Sequence, residues 1–343
     1  MIDQGKRVGQ VRVARALYRE LGRMDCLPSI MKHRNNLSVK QATVFVPCSI
    51  GNVGPGFDVL GLAVEGLGDR VTVELRDDPK FVVELSGIDA AEIPTDPSRN
   101  TASLAAGAAL NRGGWKGGAR IHIEKGLRLS SGLGGSAASS VGGAAAAMLA
   151  LSGVLVVDHL ILDALAGESV VSGRHLDNIL PATLGGLTLS RSIIPLDYSR
   201  LTVAEAWWIA LVTPAMRIET KTARAILEDK VPRSIWIQQM ANTAAMVHAF
   251  ATGDGALLGR ALDDVFAEPV RKSLIPHFDA VKKNAIEAGS IGCSISGSGP
   301  TVFAVARDAS TARKCAEGMQ DGFAEIDSTV HVGPIAEKGV RPA

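Results

Sequence analysis

The segment that most restricts how this chain folds is SSGLGGSAASSVGGAAAA at 130–147, inside a stretch, 129–157, without one charged side chain. Its first part cannot be regular structure, because glycines at 132, 134 and 135 let the backbone turn with successive N–H groups on one side. From Ser136 onward it carries only small side chains and is expected to be a helix that its neighbours approach closely. The first N–H groups of such a helix have no intrahelical partner, and together with the macrodipole they form an anion site. Hydroxyls at Ser130, Ser131, Ser136 and Ser139 add donors and a possible Mg²⁺ ligand. Phosphate binding is therefore well motivated, the competing explanation being that Gly and Ala only permit tight packing. The stretch is long enough to cross a bilayer. However, Ser, Gly and Ala gain little on transfer, and aromatic belts and a flanking basic cluster are missing, so a buried helix is expected and no membrane.

A chain of 343 residues exceeds what one compact core usually holds, which makes two domains the expectation. With 36 basic against 35 acidic side chains, nothing in the charge favours nucleic acid as a partner. The four cysteines form no CxxC pair and the histidines no HExxH, which argues against a stapled secreted scaffold and a zinc site. The expectation is a reduced, cytoplasmic protein. Residues 1–40 stand apart as a basic extension, with nine Lys or Arg against three Asp or Glu and no apolar signal core. Translation beginning at Met31 is one explanation for it, testable by intact mass.

Periodicity predicts strands at 43–46, 70–75, 81–85, 119–124, 207–212, 291–296 and 301–306. It predicts helices at 100–111, 136–151, 158–170, 220–227, 236–251, 276–288 and 309–319. This is an α+β or α/β chain with a division near 195–205. No G-x-x-x-x-G-K-[ST] is present, so a Walker-type NTPase is out. A dinucleotide site stays open: Gly132, Gly134 and Ala137 satisfy G-x-G-x-x-[G/A], and 154–157 followed by Asp158 could be a second strand with its ribose-binding acid. Against it, the strand before the loop ends near Lys125, several residues too early for a Rossmann turn.

A second irregular loop, PCSIGNVGPGFDVLG at 47–61, holds four glycines and two prolines, and a third, SISGSGPT, spans 294–301. By composition alone the second is equally a turn closing a hairpin. Three such loops in this order resemble the motifs of the galactokinase–homoserine kinase–mevalonate kinase superfamily, and P-x-S-x-x-N-x-G-P-G-F-D-x-x-G resembles its homoserine kinase branch. The similarity runs from about 43 to 332 and includes GES at 167–169, HLDNILPATLGG at 175–186, ETKTAR at 219–224 and AEPVRKSLIP at 267–276.

The resemblance implies an α+β protein of two domains: a ribosomal-protein-S5-domain-2-like domain at 41–198 and a ferredoxin-like domain at 199–337. ATP would lie between them, in a homodimer. It implies phosphoryl transfer from ATP to the side-chain hydroxyl of L-homoserine, a step in threonine biosynthesis. ATP would be held by Arg128, Leu129, Ser130, Ser131, Gly132, Leu133, Gly134, Gly135, Ser136, Ala137 and Ala138, with Ser136 and Glu168 as Mg²⁺ ligands. Asn52, Asp58, Asp177, Asn178, Arg224 and Arg271 would form the acceptor site, the arginines taking the carboxylate and Asp177 the ammonium. Asp58, Glu168 and Arg224 would stand at the reacting atoms. His175 would orient the loop around it, and Thr220 and Lys125 are further candidates for phosphate contact. Three positions depart from the family pattern: Arg128 replaces a proline, Gly135 a serine, and Ile50 a small hydroxyl residue. Three alternatives remain: a nicotinamide-dependent dehydrogenase, a catalytically silent ATP-binding regulator, and a kinase for another acceptor such as mevalonate, which has no ammonium for Asp177.

Overall fold

A computed structural model describes residues 40–170 and 173–343, so the basic extension, apart from Lys40, and its alternative start at Met31 lie outside the described residues. The first sheet has seven strands: β1 (Gln41–Gly51), β2 (Leu60–Arg76), β3 (Phe81–Gly87), β4 (Gly118–Lys125), β5 (Leu187–Ser192), β6 (Asp197–Leu201) and β11 (Arg341–Pro342). Its order is β11-β1-β2-β4-β3, with β5 joined to β2 and β6 to β5, and only β3 and β4 pair in parallel. β1 and β2 form a long hairpin whose register shifts between Pro47 and Cys48, where proline brings no N–H to the ladder.

Helices α1 (Thr101–Arg112), α2 (Gly135–Ser152) and α3 (Val157–Glu168) pack together, with α2 lying on β1 and β2. α1 starts where Asn100 accepts from the Ser103 N–H. α2 is apolar enough and long enough to cross a membrane, yet most of it is inside the core. Its small residues have a packing reason: a Cβ at Gly143 would overlap the backbone of Ala102 in α1. A short helix, α4 (Ile179–Leu184), follows.

The second sheet contains β7 (Trp208–Pro214), β8 (Gly292–Ile295), β9 (Val302–Ala306) and β10 (Ser328–Pro334) in the order β10-β7-β9-β8, all antiparallel. With α9 (Phe278–Glu287) before β8 and α10 (Ala309–Gly322) before β10, the chain traces β-α-β-β-α-β, the ferredoxin-like arrangement. Between β7 and α9 it inserts α5 (Thr220–Ala225), α6 (Arg233–Thr252), α7 (Gly255–Ala261) and the one-turn α8 (Glu268–Arg271).

β7 and β9 read as continuous apolar runs because both faces are buried. Ile209, Leu211, Phe303 and Val305 join the core of the first sheet, while Ala210, Val212, Val302 and Ala304 face α9 and α10. The two halves therefore share one hydrophobic core along a side of the second sheet. The expected helices and strands form, most with ends shifted by a few residues: the helix expected at 136–151 begins at Gly135, and that at 309–319 runs on to Gly322. The strand expected at 70–75, however, is the end of β2, which begins ten residues earlier at Leu60, and that at 43–46 runs on to Gly51. Strands β5, β6, β10 and β11 and helices α4, α7 and α8 were not apparent from periodicity.

Candidate active site

The three glycine-rich loops meet at a cavity of about 560 Å³ between the halves. They are stitched together by main-chain contacts. Ser49 N–H donates to the Leu133 carbonyl, Gly297 N–H to Gly51, and Thr301 N–H to Ser131. The Ser296 hydroxyl donates to the Gly132 carbonyl at 2.7 Å, and the Asn52 amide to the Gly297 carbonyl at 2.9 Å. At Gly132 (φ 83°) a Cβ would overlap the Ser296 carbonyl, and at Gly134 (φ 68°) it would overlap Ser49 Oγ. The loop following β4 can close onto its neighbours only with glycine at both places.

Gly134 is the N-cap of α2, and the first helical bond runs from Ala138 N–H to the Gly134 carbonyl. The amides of Gly135, Ser136 and Ala137 precede it, which is the anion-binding geometry read from the sequence. Ser136 Oγ donates to Glu168 Oε1 at 2.7 Å, so these two side chains share one spot at the head of α2 and the end of α3. Ser131 turns inward and donates to the Arg128 carbonyl. Arg128, Leu129, Ser130 and Thr220 line the cavity. A Cβ at Gly135 would make only ordinary contact with Leu127 at 3.5 Å, so the family's serine would fit there. Ile50 is fully buried, and its departure from a hydroxyl residue leaves the cavity untouched.

Lys125, a candidate for phosphate contact, is otherwise engaged. Its ammonium pairs with Asp69 and donates to the Gly135 carbonyl at 3.1 Å and Ser139 Oγ at 3.0 Å. Asp69 also accepts from the amides of Gly126 and Leu127. This buried pair therefore fastens both ends of the phosphate loop.

The residues expected to hold the acceptor line the same cavity. Asn52, Val53 and Asp58 all have positive φ (67°, 49° and 59°), unusual for side chains of this kind and above all for β-branched Val53. Asn52 Oδ1 accepts from the Asp58 N–H at 2.9 Å and holds that turn. Arg224 grips Asp58 through both guanidinium ends at 2.9 and 2.7 Å, a fork that raises its pKa further. His175 Nδ1 is 3.4 Å from Asp58 Oδ2, and burial, the largest influence, pulls its pKa down despite that carboxylate. Arg271 donates to the carbonyls of Ala223 and Gly297. Asp177 and Asn178 sit just before α4, where Ser49 Oγ donates to Asn178 Oδ1 at 2.9 Å. All six expected acceptor residues line the one cavity.

Sequence reasoning missed the supports. Gln239 and Thr243 of α6 both donate to the Pro55 carbonyl, and Asp264 collects Gln239 and the amides of Phe266, Ala267 and Glu268. Their polarity on a helix face looks like ordinary solvent exposure; only the fold brings them to a loop far away in the chain. Asp158, the suspected ribose acid, instead accepts from the Tyr198 hydroxyl, and 154–157 forms no strand. The dinucleotide alternative loses both its elements.

A glycine-rich loop at a helix N-terminus, opening on a cavity lined by Arg224, Arg271, Asp58 and Asp177 across two such domains, has the layout of a class of small-molecule kinases. Residues 100–186 match the GHMP kinases N terminal domain and 246–325 match GHMP kinases C terminal, which makes this an ATP-dependent phosphotransferase. Within the class, the chain is 38% identical over 318 residues to the homoserine kinase of Chloroherpeton thalassium, covering 88% of this chain and 99% of that one. It is 40% identical to that of Arabidopsis thaliana, covering 85% and 80%. A crystal structure of homoserine kinase from Cytophaga hutchinsonii superposes with a TM-score of 0.85 at 37% identity, over 89% of this chain and 98% of that one. The chain belongs to the homoserine kinase family.

Proposed function

We propose that this enzyme transfers the γ-phosphoryl group of ATP to the side-chain hydroxyl of L-homoserine, giving O-phospho-L-homoserine and ADP. One observation carries the reading. Asp58, Arg224, Arg271 and Asp177 line the same cavity as the glycine loop with Ser136 and Glu168. Phosphoryl transfer needs chiefly positioning and charge neutralisation, and this arrangement supplies both.

The amides at the head of α2 and the loop 128–138 hold the phosphates. Ser136 and Glu168 are hard oxygen donors in mutual contact, a set that would hold Mg²⁺. Bound there, Mg²⁺ would neutralise charge developing on the transferred group.

At the acceptor end, Arg271 and Arg224 take the substrate carboxylate and Asp177 its ammonium. Asn52 and Asp58 orient the hydroxyl. That oxygen attacks the γ-phosphorus, the bond to the β–γ bridging oxygen breaks, ADP departs as the leaving group, and the hydroxyl proton leaves late, to water. Both carboxylate oxygens of Asp58 already accept from Arg224, which suits an orienting role better than that of a proton acceptor. The free, buried Cys48, Cys293 and Cys315 suit a reducing cytoplasm.

The test is ADP release measured with L-homoserine, L-serine, mevalonate and no acceptor. Release dependent on L-homoserine, with the others at least about tenfold slower, is expected from a pocket that pairs both the carboxylate and the ammonium. Equal or faster release with mevalonate, or none with any acceptor, overturns the assignment.

A further inference from the structure

The acceptor pocket brings two like charges together. Arg224 has a carboxylate partner in Asp58, but Arg271 is 3% exposed and donates to the carbonyls of Ala223 and Gly297, which are dipoles and not charges. Burial first, and then the charge of Arg224, lower the pKa of Arg271, while the more weakly acting carboxylates of Asp264, Asp58 and Asp177 oppose the shift without pairing with the guanidinium. Something must make that position tolerable for a cation and keep its plane fixed.

One side chain touches both guanidiniums. The Phe57 ring centroid is 5.4 Å from Arg224 Cζ and 5.2 Å from Arg271 Cζ, inside the range where a cation is drawn to the negative face of an aromatic ring. The ring does not move freely. Phe266 meets it edge-on with centroids 5.2 Å apart at 86°, and the carbonyl of Pro55, two residues earlier, is gripped by Gln239 and Thr243. Phe57 also directly precedes Asp58, so the backbone that places the acid places the ring.

The geometry points to Phe57 as a positioning residue for acceptor specificity: its ring holds Arg224 and Arg271 together so that both meet the carboxylate of the amino-acid substrate. This rests on the proposed binding of that carboxylate by the two arginines. An aliphatic side chain would fill the volume but lacks the quadrupole that offsets guanidinium repulsion.

The test places progressively fluorinated phenylalanines at position 57, which keep the shape while removing the ring's negative face. The KM for L-homoserine should rise stepwise, to about tenfold with the trifluorinated ring, while the KM for ATP stays within about twofold. Phe57→Tyr should stay near wild type, and Phe57→Leu should show the same selective loss. A flat homoserine KM across the fluorinated series, or an equal rise for ATP, overturns the role. Arg271→Met separates the two layers of the argument. If it raises the homoserine KM while the fluorinated series stays flat, only the ring's role fails; if it leaves that KM unchanged, the carboxylate site itself is misplaced.

Discussion

At the scale of single residues, Asp177 departs far from its ordinary chemistry. Its carboxyl is pushed up to about 7, first by burial and next by the negative charge of Asp58; Arg224 opposes the shift and Glu168 adds to it. The sign of the linkage follows. Between the ordinary 3.8 and about 7 the native protein keeps a proton the unfolded chain has lost, so this group's contribution to stability falls as pH rises through that window. On the proposed assignment binding runs the other way, because only the ionised carboxylate would attract the substrate ammonium. The kcat/KM for L-homoserine should therefore climb about tenfold per pH unit on the acid side of pH 7 and level off above it. His175, whose pKa burial lowers, would titrate at more acid pH and cannot supply that inflection. Asp177→Asn should weaken homoserine binding by roughly ten- to a hundredfold and abolish the rising limb. A pH profile of the variant that keeps the limb would assign the titration to another group.

The elements of the site show why the phosphate loop was legible in the sequence and its anchorage was not. Glycines at fixed spacing before an uncharged helix announce an anion site, since backbone geometry and helix termini depend on local sequence. Asp69 and Lys125 announce nothing: each lies in a strand of ordinary alternation, and only the β2–β4 pairing makes them a buried pair beneath the loop. The same holds for Arg224 and Arg271, whose chemistry came through family resemblance and whose meeting with Phe57 required the fold. Strands β5 and β6 escaped notice because they are short, six and five residues, and β6 buries none of its residues fully. The buried pair gives a sharp energetic expectation. Lys125→Met strands Asp69 as an uncompensated charge and should destabilise the protein by about 3–5 kcal/mol in urea unfolding, whereas Lys125→Met with Asp69→Asn should regain most of that. If the lysine anchors the loop and does not touch phosphate, the double variant should bind ATP within about threefold of wild type. A well-folded double variant with ATP affinity reduced tenfold or more would restore Lys125 as a phosphate ligand.

At the scale of the whole molecule, the two halves are joined by more than the crossing from β6 to β7. After β10 the chain leaves the second sheet, bridges Ile335 to Val64, and runs along the first half before ending its course beside β1. Besides the β1–β11 ladder, five backbone hydrogen bonds among the described residues fasten this strap. Ile335 N–H donates to Trp207, Ala336 N–H to Ala63, Gly186 N–H to Ala336, Val340 N–H to Ala182 and Ala343 N–H to Thr43. Two of the anchor points, Ala182 and Gly186, lie in and just beyond α4, the helix whose N-terminal approach carries Asp177 and Asn178. The strap thus closes the sheet edge and is tied to α4, next to the proposed acceptor residues Asp177 and Asn178. At about 1 kcal/mol net per hydrogen bond, deleting residues 335–343 should remove roughly 5 kcal/mol and lower the melting temperature by about 10 °C. Because the strap bears on α4 and not on the glycine loop, the surviving enzyme should show a homoserine KM raised severalfold with the ATP KM nearly unchanged. Calorimetry and initial rates on the truncated protein decide this: an unchanged melting temperature would deny the strap its structural role, and parallel losses for both substrates would deny its link to the acceptor site.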